Sequence, residues 1–98
     1  MRILVSAYGP ERDAIIAPAF ESAPYYLLVD TEAATCTPQA SLALASLAQL
    51  QVHAVITGHM SEASKRLAAA AGVVVYTIPA GAVTMAVEHC LRGKLRAL

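Results

Sequence analysis

Val52-His53-Ala54-Val55-Ile56-Thr57-Gly58-His59-Met60-Ser61-Glu62-Ala63-Ser64-Lys65-Arg66-Leu67-Ala68-Ala69-Ala70-Ala71-Gly72-Val73-Val74-Val75-Tyr76-Thr77-Ile78 is the stretch that decides the fold. Its first six residues form a strand-like apolar run, which Gly58 breaks. Ser61 is placed to cap a helix from Glu62 to Ala71, and Gly72 stands where helices commonly end. Val73 to Ile78 is β-branched and aromatic, as strands prefer. Pro79 and Gly81 punctuate, and a last helix is expected from Ala82 to Arg92, closed by Gly93. Strand, helix, strand, helix in this order predicts two parallel strands joined by a right-handed crossover.

Upstream, Ile3 to Ala7 reads as a buried strand ending at the turn Tyr8-Gly9-Pro10, and Ile15-Ile16 as a brief second strand. The prolines of Pro18-Ala19-Phe20-Glu21-Ser22-Ala23-Pro24 exclude a long helix there, so an exposed loop is expected. Tyr25 to Asp30 has the near-continuous apolar character of a central strand. Thr37-Pro38 reads as an N-cap and first helical position, opening a helix over Gln39 to Leu50 with Ala43, Leu44, Leu47 and Leu50 at helical spacing. The expectation is an α/β domain with a mixed sheet of about five strands and helices on both faces.

With 98 residues, no repeat and no linker, the chain reads as one domain spanning residues 1–98. An apolar fraction of 57% exceeds the usual soluble range, so part of the surface is expected to be covered by a second copy in a homodimer. Seven basic and seven acidic residues cancel, and the sole dense basic patch is the tail Arg92-Gly93-Lys94-Leu95-Arg96. That tail suits the negative end of the preceding helix better than a polyanion surface, which argues against nucleic acid as a partner. Cys36 and Cys90 are too few for a disulfide framework and form no CxxC pair. The uncharged stretches Ala33–Ser61 and Leu67–Val87 are interrupted by Pro38, Gln51, His53 and Gly58 and by Gly72, Pro79 and Gly81, so no membrane span is expected. The N-terminal run is too short for a signal peptide, leaving the cytoplasm as the expected compartment.

Several stretches, in order and over nearly the whole chain, resemble the nitrogenase iron-molybdenum cofactor biosynthesis family that includes NifX, NafY and the C-terminal part of NifB. Phe20-Glu21-Ser22-Ala23-Pro24-Tyr25-Tyr26-Leu27-Leu28-Val29-Asp30 is similar to the family's H-F-G-R-A-x-Y-F-x-x-V-D. Val55-Ile56-Thr57-Gly58 matches its V-I-T-G. Ala71-Gly72-Val73-Val74-Val75-Tyr76, Gly81-Ala82-Val83 and Leu91-Arg92-Gly93-Lys94-Leu95 are close to its A-G-I-x-V-Y, G-T-V and L-x-G-K-L. The resemblance implies a ribonuclease H-like fold and a non-enzymatic carrier or scaffold for iron-molybdenum cofactor, its precursor or a related metal-sulfur cluster, working with cluster-assembly or nitrogenase-related proteins. The sequence departs from the pattern where the family histidine is Ala19 and where its Gly-Arg is Glu21-Ser22. A domain of this fold that has lost its cofactor and acts through protein contacts is the alternative.

Independently of the resemblance, His59 follows a strand and precedes a helix, at the carboxyl edge of the sheet where α/β proteins commonly bind ligands. The nearby helix N-terminus favours an anion, imidazole suits iron or copper, and Met60 offers a thioether. The competing reading is a solvated histidine and a packing methionine. Cys36 is a second candidate ligand if it reaches the same edge, against a small half-buried loop residue. The two lines of argument converge on Phe20, Glu21, Ser22, Thr57, Gly58, His59 and Met60 as the candidate cofactor site, with His59 and Cys36 as candidate metal ligands. Cys90 falls on the apolar face of the last helix, His89 near its end, and His53 at a strand edge, all as structural residues. Asp13, Glu21, Asp30, Glu32, Glu62 and Glu88 are scattered, with Asp30 alone at a strand end. A two-metal nuclease needs carboxylates gathered round its ions. No Ser-His-Asp, G-x-S-x-G, P-loop or G-x-G-x-x-G pattern is present, so no enzyme is expected.

Overall fold

A computed structural model describes residues 1–39 and 51–97. The elements run β1 (Arg2–Ala7), a 3-10 turn (Phe20–Ser22), β2 (Tyr25–Asp30), β3 (Thr35–Gln39), β4 (Ala54–Thr57), α1 (Glu62–Ala70), β5 (Val74–Thr77), α2 (Val83–Leu91) and β6 (Arg96–Ala97). They build one mixed sheet in the order β3-β2-β1-β4-β5-β6. β1, β4 and β5 are mutually parallel neighbours, while β2, β3 and β6 pair antiparallel.

Alternation along the central strands sends side chains into two separate cores. Ile3, Val5 and Ala7 of β1 join Leu27, Ala54 and Ile56 on one face, where α2 contributes Val83 and Ala86. Leu4 and Val55 join Phe20, Tyr26, Met60, Val73 and Val75 on the other, against Ala68 of α1. The two described helices thus cover opposite faces. Every residue of β4 is buried, as its unbroken apolar run requires of a strand packed on both sides. Each fully buried large aliphatic contributes about 1.5–3 kcal/mol, and Ile3, Leu4, Leu27 and Ile56 are all in that state.

Ser61 caps α1 as expected, its Oγ accepting from the Ser64 amide at 3.2 Å. Gly72, just past the helix, has φ +75°, a conformation that costs other residues. α2 has no side-chain cap at Ala82; instead the Val83 amide donates to the Ala14 carbonyl at 2.9 Å, so the loop after β1 finishes the helix.

Four expectations are corrected. Among the described residues the sheet has six strands rather than about five. Ile15 and Ile16 form only isolated bridges, to Ala82 and Ala7. Thr37-Pro38 does not start a helix: Asp30 Oδ1 accepts from the Glu32 and Ala33 amides at 3.0 and 3.1 Å, Ala34 turns at φ 56°, and the chain returns as β3 along β2. A carboxylate folded onto its own turn closes a hairpin, and β-branched Thr35 and Thr37 then suit the strand. The rest of the expected helix to Leu50 lies outside the described residues. Finally, the tail does more than end a helix, because Arg96 and Ala97 add a strand to β5.

Candidate functional site

The parallel strands β1, β4 and β5 end together, and their last polar residues knit the carboxyl edge. Ser6 Oγ is hydrogen-bonded with the Ala17 carbonyl and with Thr57 Oγ1, each at 2.8 Å, in a fully buried setting. Thr77 Oγ1 donates to the Gly58 carbonyl at 2.9 Å, and the Ile78 amide to that of Thr57 at 3.2 Å.

On this frame the Ala19–Pro24 loop and the Gly58-His59-Met60 turn lie side by side. Ala19 and His59 form a parallel bridge, and the Phe20 amide donates to the His59 carbonyl at 3.0 Å. Tyr26 Oη donates to the Phe20 carbonyl at 2.6 Å, and the two rings pack with centroids 5.1 Å apart. Glu21 reaches across to α1, where its Oε1 accepts from the Ser61 amide at 2.6 Å. Burial is the largest single influence on the Glu21 carboxyl and pushes it up, but the hydrogen bonds from Ser61, from its own amide and from Ser64 together outweigh it and hold the group below the usual carboxylate range. A negative charge from the chain itself therefore already sits at the start of α1, where helix amides favour one.

The seven residues singled out from sequence divide by exposure. Glu21, Ser22 and His59 are exposed and Gly58 is half-buried. Phe20, Thr57 and Met60 are buried, Met60 with no exposure at all, so its sulfur fills the core beside Phe20 and is not presented at the surface. Cys36 does not reach this edge. It pairs with Val29, which pairs with Ile3, which pairs with Ala54, a row at the opposite end of the sheet. There it borders a groove of about 240 Å³ with Arg12, Val29, Val83, Val87 and Leu91. Burial pushes its thiol up, with nearby Arg12 pulling the other way, and burial alone does the same to Cys90. His53, at that far end too, accepts from the Arg2 amide through Nδ1 at 3.1 Å.

Among the described residues no group of three or more His, Cys, Asp and Glu is arranged to hold a metal ion. What the edge offers is one exposed imidazole, an exposed serine and a capped helix start. Ser6 and Thr77 were missed, although each is a hydroxyl residue one position before the end of an apolar run. Pro18 was missed too: its backbone lies so near Gly58 that a side chain at that position would collide with it, and no sequence signal marks this closeness.

The sequence profile of the family described as "Dinitrogenase iron-molybdenum cofactor" matches residues 1–93. The chain belongs to this family. Solved structures with the fold of this dinitrogenase iron-molybdenum cofactor domain include a NifB-like DUF35 protein from Thermotoga, at 23% identity and TM-score 0.85 over 99% of this chain and 92% of that one. The apo form of the orange protein from Desulfovibrio gigas is similar at 24% identity and TM-score 0.84, over 99% and 92%. A dinitrogenase-like protein from Methanocaldococcus jannaschii is similar at 17% identity and TM-score 0.73, over 100% and 94%. At these identities the likeness is one of fold. No curated protein matches this chain. No described helix is long and apolar enough to cross a membrane.

Proposed function

We propose that residues 1–98 act as one non-enzymatic carrier or scaffold domain in the cytoplasm, with iron-molybdenum cofactor, its precursor or a related metal-sulfur cluster as cargo. The seat is the carboxyl edge at Glu21, Ser22, Gly58 and His59. The observation that carries this reading is the bridge between Ala19 and His59, which sets an exposed imidazole beside the start of α1 and against the loop that resembles the family's own motif. With alanine at position 19, His59 is the main donor. The strand order β3-β2-β1-β4-β5 supports the ribonuclease H-like reading of the fold. Partners on this view are a second copy of the chain and cluster-assembly or nitrogenase-related proteins that load and unload the cargo. Cluster uptake by purified apo-protein under anaerobic conditions, followed by visible absorption, tests it. His59→Ala should weaken retention about tenfold or more, the scale seen when groups supporting a metal site are lost. No uptake by the wild type, or equal retention by the variant, ends the reading.

A second reading, a cofactor-less interaction domain, is favoured by one specific contact. Glu21 already holds the anion position at α1 through the Ser61 amide, where a glycine of the family pattern would leave it open. If Glu21→Gly takes up cluster and the wild type does not, this second reading holds.

A further inference from the structure

A cleft of about 420 Å³ opens at the tip of β5, between α2 and β6. Its polar and charged lining is Thr77, His89, Lys94 and Arg96, with Ile78, Pro79 and Leu95 as apolar walls, and among the described residues none of the lining is acidic. The chain is shaped locally to bring these groups together. After α2, Gly93 turns at φ +70°, the Lys94 amide donates to the His89 carbonyl at 2.9 Å and the Gly93 amide to that of Cys90 at 3.1 Å. This is the paired closure of a helix end on a left-handed glycine, and it fixes Lys94 over the last turn that bears His89. Two residues later Arg96 pairs directly with Thr77, so the antiparallel register of β6 fixes it at the tip of β5.

The neighbouring charges leave these cations available. Glu88 is bound by Arg92 at 2.6 Å, and neither Lys94 nor Arg96 has an ion-pair partner among the described residues. Basic residues after a helix are favoured by its dipole, but that effect falls off within the last turn. It does not account for Arg96, which stands on a strand beyond it. Thr77 also links the cleft to the edge described above, since its hydroxyl holds the Gly58 carbonyl.

We propose that this cleft is a binding site for a compact polyanion, carrying at least two negative charges and engaged by Lys94, Arg96 and His89. The site stands on its own and does not rest on cluster binding. Two sources share the chemistry: an oxygen polyanion such as a diphosphate group, or a sulfur-rich anionic cluster.

Inorganic pyrophosphate, titrated at low ionic strength while backbone amide resonances are followed, is the direct probe. Saturable shifts centred on Thr77, His89, Lys94 and Arg96, weakened by added salt, are expected. The exposed substitutions Lys94→Gln and Arg96→Gln, which should leave the unfolding midpoint unchanged, should each lower affinity roughly tenfold, as removal of a hydrogen bond to a charged group does. Cluster uptake by the double variant separates the sources. Loss of cluster together with pyrophosphate makes the cleft part of the cluster's seat, and loss of pyrophosphate alone assigns it to oxygen polyanions. No saturable binding by the wild type below about 10 mM, a range that already includes weak ligands, overturns the proposal. So does unchanged affinity in the double variant.

Discussion

Gly58 sits so close to Pro18 that a Cβ added to it would lie 2.8 Å from the Pro18 carbonyl oxygen and 3.0 Å from its Cα. The obstacle is backbone, which cannot rotate aside. Gly58→Ala should therefore destabilise the fold by about 1–3 kcal/mol, the usual cost of forcing a methyl into a packed place. Urea unfolding measures this, and a change below about 0.5 kcal/mol, ordinary for surface positions, would show that the loop yields.

The buried contact between Ser6 and Thr57 gives a second expectation. Ser6→Ala removes a partner from both Thr57 and the Ala17 carbonyl, and should cost about 1–3 kcal/mol. Thr57→Val leaves Ser6 its bond to Ala17 and should cost less. The double variant should be less damaging than the sum of the two, which a thermodynamic cycle by chemical denaturation reads directly.

Met60 separates packing from ligation. Met60→Leu nearly conserves volume and should cost less than about 1.5 kcal/mol, whereas Met60→Ala should cost about 2–5 kcal/mol through the void it leaves. Cluster retention by Met60→Leu should equal that of the wild type. A selective loss of retention in that variant, with stability kept, would restore the sulfur to a ligand role.

Glu21 links stability to pH. Its carboxyl lies lower in the folded chain than in the unfolded one, so its contribution is present above the ordinary carboxylate pKa and is lost as pH falls through the folded value. For so exposed a charge at a helix start the effect is about 0.5 kcal/mol. Wild type and Glu21→Gln should differ in unfolding free energy near pH 7 and converge in acid. Parallel curves across that range would contradict the contact with Ser61.

Cys36 and Cys90 should react with iodoacetamide more slowly at neutral pH than an unstructured thiol, because burial disfavours their thiolates. Cys36→Ser should leave cluster retention unchanged, since the register holds it at the far end of the sheet from His59. Equal reactivity of folded and unfolded protein would count against the burial.

The strands from Ala54 to Thr57 and Val74 to Thr77, and the helix between them, were legible because each rests on local signals: an apolar run, a serine cap and a closing glycine. The hairpin that makes β3 was not, because Thr37-Pro38 satisfies helix-start and edge-strand rules alike, and the Asp30 turn that decides between them acts from outside the pair. β6 was hidden for a similar reason: Arg96-Ala97 has no strand character of its own and borrows it from β5. At the site, sequence placed His59 and the Ala19–Pro24 loop on one edge. It could not show that Met60 turns inward or that Cys36 lies a strand's length away, because both depend on register between strands distant in the chain.

The sheet's two outer strands differ in what they offer a neighbouring chain. Among the described residues β6 presents Arg96 and Ala97, a span too brief to seed a further strand, and it bears a cation that two stacked copies would bring together. β3 carries Pro38, which has no amide proton to extend a ladder. A chain this rich in alanine, leucine and valine is thereby guarded at its margins against fibrillar growth, and concentrated solutions should stay free of cross-β aggregates as long as both margins remain intact.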